Sequence, residues 1–140
     1  MEVTTKILVF LWLSCLCIRG NASYEYCKPS DLMITQLSTR DRTIDGLHVY
    51  YVTVENRCVC TQINVKLACH GFSNSVHVDP EGRLSLDSDG EHCTLNGGRP
   101  IPNGLENAVT FSYKWSSQIR LEPVSSTVAC SLSAAPAPLY

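Results

Sequence analysis

Six cysteines set the limits on what this chain can fold into. They stand at Cys27, Cys58, Cys60, Cys69, Cys93 and Cys130, downstream of an apolar leader that carries two more, Cys15 and Cys17. An even count in a short exported domain implies a disulfide framework and an oxidising, extracellular compartment. The leader reads as a secretory signal: Lys6 gives a weak positive start, residues 7–18 (ILVFLWLSCLCI) are apolar, and Gly20-Asn21-Ala22 places small residues for cleavage after Ala22. Twelve apolar residues are too few to span a bilayer, which takes about 20. The expected organisation is a signal over residues 1–22, one cysteine-rich β domain over 23–130, and a flexible tail over 131–140. Cys15 and Cys17 leave with the signal, so they stay outside the framework.

Charge and length then exclude several functions. Without residues 1–22 the chain keeps nine basic and twelve acidic residues, a net charge of −3. It shows no basic stripe and no interleaved aromatic and basic pattern, so nucleic acid is not an expected partner. There is no second apolar stretch, and the tail SLSAAPAPLY lacks the long hydrophobic end of a lipid-anchor signal. No membrane insertion of the mature chain is expected. About 118 residues make one small domain.

The hydrophobic pattern has a period of two. Residues 61–69 (TQINVKLAC) put Ile63, Val65, Leu67 and Cys69 on one face and Gln62, Asn64, Lys66 and Ala68 on the other. Residues 107–115 (NAVTFSYKW) alternate Val109, Phe111, Tyr113 and Trp115 against Ala108, Thr110, Ser112 and Lys114. Both read as half-buried antiparallel strands. Residues 47–55 (LHVYYVTVE) are apolar on both faces and read as a central strand. Weaker strands are expected over 32–37, 75–79, 118–123 and 126–130, separated by Gly, Pro and Asn turns such as Asp45-Gly46 and Asn96-Gly97-Gly98. No stretch of eleven or more residues carries a helical stripe. The expected fold is all-β: a small disulfide-stapled antiparallel sandwich or barrel.

Strand geometry restricts the disulfides. Six cysteines allow fifteen full pairings. An extended segment from Cys60 to Cys69 separates its ends by roughly 30 Å, while a bridge needs Cα atoms within about 7 Å. Cys69 therefore pairs with neither Cys58 nor Cys60, and a Cys58–Cys60 ring is too tight. Each of Cys58, Cys60 and Cys69 is left to one of Cys27, Cys93 and Cys130, which keeps six pairings open. A zinc site is disfavoured, because Cys58-x-Cys60 lacks the usual ligand gap and no matching pair follows.

Motifs for chemistry are weak. Asp87-Ser88-Asp89 matches the D-x-D pattern of metal–nucleotide-sugar sites, but the chain has neither the length nor the helices for such a domain. An acidic turn before Cys93 is the simpler reading. Counted as a calcium loop from Asp87, position six is His92 and position twelve is Gly98, so the loop fails. His48, His70, His77 and His92 are scattered, and no nucleophile or paired-carboxylate constellation is recognisable. No cofactor, no metal and no catalysis are expected. Tyr113 and Trp115 would make a sugar platform if exposed, but their alternation with Phe111 favours the core. Asn21-Ala22-Ser23 is a glycosylation sequon that survives only if cleavage follows Gly20.

From Tyr26 to Cys130 the order of blocks is more specific than any one of them. Cys27 precedes a strand; then come Tyr51-Val52-Thr53-Val54-Glu55-Asn56-Arg57-Cys58, the pair Cys60 and Cys69 with eight residues between them, and Gly71-Phe72-Ser73. Val76-His77-Val78-Asp79-Pro80, an acidic turn, Cys93, Leu95-Asn96-Gly97-Gly98-Arg99-Pro100-Ile101, Val109-Thr110-Phe111-Ser112-Tyr113 and Val128-Ala129-Cys130 follow. In these blocks the chain resembles the plant Tapetum Determinant-like family of small secreted cysteine-rich proteins. It departs from the longer anther members in the single Val59 between its second and third cysteines, and in His70 between Cys69 and Gly71. The resemblance implies a ligand secreted to the apoplast, acting on the ectodomain of a leucine-rich-repeat receptor kinase in anther and tapetum cell-fate specification. Arg99 and Phe72, in turns rather than on alternating faces, are the expected receptor-binding residues. The competing expectation is a carbohydrate-binding cell-wall protein without catalysis.

Overall fold

A computed structural model describes residues 27–39 and 45–130. The expected signal, with Cys15, Cys17 and the Asn21 sequon, and the expected tail over 131–140 lie outside the described residues. Among the described residues eight strands form: β1 (Leu32–Ser38), β2 (His48–Asn56), β3 (Thr61–His70), β4 (His77–Asp79), β5 (Leu84–Leu86), β6 (His92–Leu95), β7 (Val109–Trp115) and β8 (Arg120–Ala129). They make two antiparallel sheets, ordered β1-β2-β7-β4 and β5-β6-β3-β8. The described residues thus form a sandwich, not a closed barrel. Among the described residues the helical elements are short 3₁₀ turns, at Pro29–Asp31, Asn96–Gly98 and Leu105–Asn107.

Alternation builds the core. Tyr50, Val52 and Val54 of β2 and Val109, Phe111 and Tyr113 of β7 face inward from one sheet. Val65, Leu67 and Cys69 of β3, with Cys93 and Leu95 of β6, face inward from the other. All belong to one buried cluster, as two packed sheets require. β2 lies inside its sheet, between β1 and β7, as its sequence indicates. Of its outward residues, Val49 is half-buried and Tyr51 is 53% exposed.

The alternation expected for β3 fails at its start. Gln62 is wholly buried and Ile63 is only half-buried, the reverse of the sequence reading. The cause lies at Asn64, whose φ of 52° is left-handed. The pairing of β3 with β8 shifts register between Ile63 and Lys66. A bulge inserts a residue and reverses which side faces in, and asparagine tolerates the left-handed conformation that this needs. Gly98 fits against the bulge: a Cβ there would meet Asn64 Oδ1 at 2.8 Å.

β8 also differs. Two expected strands, over 118–123 and 126–130, form one continuous strand with an irregular register around Pro123 and Ser125. Pro123 donates no N–H, which an edge strand tolerates. β5 and β6 were not expected. Each has three or four residues, and together they flank the acidic turn as a hairpin.

Candidate interaction surface at the disulfide end

The cysteines pair as Cys27–Cys58, Cys60–Cys130 and Cys69–Cys93. Each of Cys58, Cys60 and Cys69 is joined to one of Cys27, Cys93 and Cys130. The third bridge ties β3 to β6 inside the core. The other two meet at one end of the sandwich, where β2 turns into β3. Cys60 and Cys130 continue the ladder beyond Thr61 and Ala129, with Cα atoms 4.5 Å apart. The sulfurs of Cys27, Cys58 and Cys60 lie within 4.8 Å of one another because two bridges abut. All three are in S–S bonds, which leaves no thiolate there to ligate a metal.

A buried polar network underlies this turn. The Asn56 amide donates to the carbonyls of Cys60 and Ile101, at 2.8 Å each, and its oxygen accepts from the Cys58 N–H and from Gln62 Nε2. Gln62 Nε2 also donates to the Lys28 carbonyl at 3.3 Å, and the Ser126 hydroxyl donates to Gln62 Oε1. Gln62 and Ile101 exchange backbone hydrogen bonds, and Asn103 Nδ2 donates to the Cys58 carbonyl at 2.7 Å. Among the described residues no buried side-chain nitrogen or oxygen lacks a partner. Burial makes each of these bonds costly to break. The turn is therefore held from below by hydrogen bonds and from both sides by disulfides.

Val59 stands on top of this frame, between two half-cystines, and is 75% exposed. Leu105 is 66% exposed, in the turn next to Asn103 and Gly104; the Gly104 N–H donates to the Asn56 carbonyl. Arg57 beside it is loosely paired with Glu55 at 3.6 Å and mostly exposed. Arg99 is exposed on the loop that runs from Gly98 to Ile101 along β3. The end thus presents apolar side chains and arginines on a rigid base. Sequence reading missed Val59 and Leu105. The available signal was an apolar residue locked between two cysteines, with no alternating partner.

The other expected site residues fall elsewhere. Phe72 is 8% exposed and packs in the core, so it offers no free side chain to a partner at this end. Tyr113 is buried and stacked on Tyr50, with ring centroids 5.0 Å apart, and Trp115 packs against the core, so no Tyr113–Trp115 platform forms. The Tyr113 hydroxyl donates to Gln36 Oε1 at 2.6 Å and accepts from the Ile119 N–H at 2.8 Å. Burial pushes its pKa up to about 12.

The D-x-D carboxylates are spent on the hairpin. The Thr94 hydroxyl donates to Asp87 at 2.6 Å and Lys66 Nζ lies 2.9 Å from it; Thr94, and then Lys66, hold the Asp87 pKa below its ordinary value. Asp89 accepts from the backbone N–H groups of Glu91 and His92 and binds the His92 ring at 2.6 Å. That ring contact lowers the Asp89 pKa and raises that of His92. His48 and His77 are not gathered with His92: His48 sits against Tyr50, and His77 on β4 of the other sheet; His70 ends β3, two residues beyond Ala68, the pairing partner of His92.

A family model described as Tapetum determinant 1, C-terminal, matches residues 28–131. The chain belongs to the tapetum determinant family. The match begins one residue after Cys27 and ends one after Cys130, so it spans the disulfide-bonded β domain. An uncharacterized protein of Arabidopsis thaliana is 34% identical over 132 residues, covering 93% of this chain and 99% of that protein. No solved structure matches. Among the described residues no helix is long and apolar enough to cross a membrane.

Proposed function

We propose that this tapetum determinant family protein is a secreted extracellular ligand. It is recognised by the ectodomain of a leucine-rich-repeat receptor kinase in plant cell-fate specification of the anther and tapetum kind. It acts by binding and not by catalysis. Family membership supports the developmental role, and three disulfides in a small domain suit an oxidising compartment.

The observation that carries the reading is Val59. Exposing an apolar side chain on a turn fixed by two disulfides does nothing for folding. It does suit a binding anchor, because a pre-ordered side chain loses little entropy on association. Arg57 and Arg99 add planar donors for receptor carboxylates.

The test is binding of the oxidised protein to a panel of plant receptor ectodomains. Val59→Asp should abolish capture and Arg99→Ala should weaken it by roughly 1–2 kcal/mol, with the fold unchanged in both. Asp87→Ala with Asp89→Ala should do little to binding. Binding that survives Val59→Asp, or that depends on the acidic pair instead, would reject this surface. Binding to no ectodomain would reject the ligand reading.

A further inference from the structure

The outer face of the β1-β2-β7-β4 sheet carries a second candidate site. Pairing places Tyr51 opposite Ser112 and Ser112 opposite Asp79, across β2, β7 and β4. The next row places Val49 opposite Lys114 and Lys114 opposite His77. Alternate residues Tyr50, Val52, Val78 and Tyr113 are buried, so these six project to the other side. Directly opposed side chains in a sheet lie about 5 Å apart. The six line one hollow of about 260 Å³.

The hollow is divided by chemistry. Tyr51 is 53% exposed, and Leu37 lies opposite it on the edge strand and is also exposed, so one side is apolar. Ser112, Asp79, Lys114 and His77 make the other side polar. Among the described residues, no ion pair and no side-chain hydrogen bond engages Tyr51, His77, Asp79, Ser112 or Lys114. On the opposite sheet the comparable lysine, Lys66, is bonded to both Asp87 and Thr94. The Lys114 ammonium has no such neighbour, although a carboxylate stands two strand positions away on β4.

From this we infer that the hollow binds a short acidic oligosaccharide, one built of hexuronate units. A pyranose ring has an apolar C–H face, which suits Tyr51, and a rim of hydroxyls, which suits Asp79 and Ser112. The carboxylate of a uronate supplies the anion that Lys114 lacks. The hollow is the size of one or two sugar rings, and its apolar side is too small for the buried centre of a protein interface. The inference does not depend on the receptor reading, since its residues lie on a sheet face and not at the disulfide end.

The experiment is calorimetric titration of the oxidised protein with tetragalacturonate and with cellotetraose, followed by amide chemical-shift mapping. Tetragalacturonate should bind about ten-fold or more tighter than the neutral tetramer, since a charge-assisted hydrogen bond is lost with the carboxylate. Its shifts should centre on Tyr51, Ser112 and Lys114, with Val59 and Leu105 unmoved. Tyr51→Ala and Lys114→Gln should each weaken it by about ten-fold, with an unchanged melting temperature showing that both variants fold. No binding, equal binding of the neutral tetramer, or shifts centred on the disulfide end would each overturn the proposal. So would loss of receptor capture in Tyr51→Ala and Lys114→Gln without any sugar binding by the parent protein, which would assign the face to a protein partner.

Discussion

Two polar clusters in this molecule are satisfied equally well and matter to it very differently. At the disulfide end, Asn56 and Gln62 are wholly buried, and their side-chain amides are fully engaged. In the β5–β6 loop, Asp87 and Asp89 are also fully engaged, but Asp87 is only half-buried and Asp89 is exposed. A bond lost in the interior leaves its partner with no water to turn to; a bond lost at the surface is replaced by solvent. Charge made the acidic loop conspicuous in the sequence, while burial gives the neutral amides the larger energetic role.

The largest effect should come from the covalent part of the disulfide end. The Cys60–Cys130 bridge closes a separation of 70 residues. In the chain-entropy picture a loop of that length contributes about 4 kcal/mol, a large share of what so small a domain has. Cys60→Ser with Cys130→Ser should therefore lower the denaturation midpoint sharply, and full reduction should unfold the protein at ordinary temperature. Circular dichroism and thermal midpoints that are unchanged on reduction would remove the covalent frame from the comparison.

Next in size is the polar part of the same end. Asn56→Ala strips hydrogen-bond partners from the Cys60 and Ile101 carbonyls, the Cys58 N–H and Gln62 at once. The expected loss is about 2–4 kcal/mol in urea unfolding with the disulfides intact. By contrast, Asp87→Ala on the hairpin should cost about 1 kcal/mol or less, because the Lys66–Asp87 pair is partly open to water. If the two substitutions cost the same, burial is not what separates the regions.

Much of this was legible in the sequence. β2, β3 and β7 are long enough for a period of two to show, and an extended β3 is enough to keep Cys69 from Cys58 and Cys60. The resemblance in the order of blocks pointed to the family that the comparison assigns. What escaped reading was not periodic. A single left-handed residue, Asn64, reverses the faces of β3 and sends Gln62 inside. β5 and β6 are too short to alternate visibly. Phe72 follows a cysteine in a turn, and its depth depends on how the two sheets close over it, which local sequence does not encode. The hollow at Tyr51 needs the registry of β4 against β7, a pairing between segments some 35 residues apart.

The smallest effect should be the pH response of the hairpin, and its sign follows from the two partners. The Asp89 pKa is lowered from 3.8, chiefly by the His92 ring, so its contribution is present above pH 3.8 and fades as pH falls through the lowered value. The His92 pKa is raised from 6.5, chiefly by Asp89, so its contribution is complete below pH 6.5 and fades as pH rises through the raised value. The pair is strongest between those ordinary values, from pH 3.8 to pH 6.5. Both groups face water, so the stability change should be slight, and it is better followed at the imidazole itself. In an NMR titration His92 should deprotonate above pH 6.5, because Asp89 lies against its ring. Asp89→Asn should move the His92 midpoint down toward 6.5. A His92 midpoint that Asp89→Asn leaves unmoved would mean that Asp89 caps only the backbone of the turn, and the acidic loop would then be a turn held by its N–H groups alone.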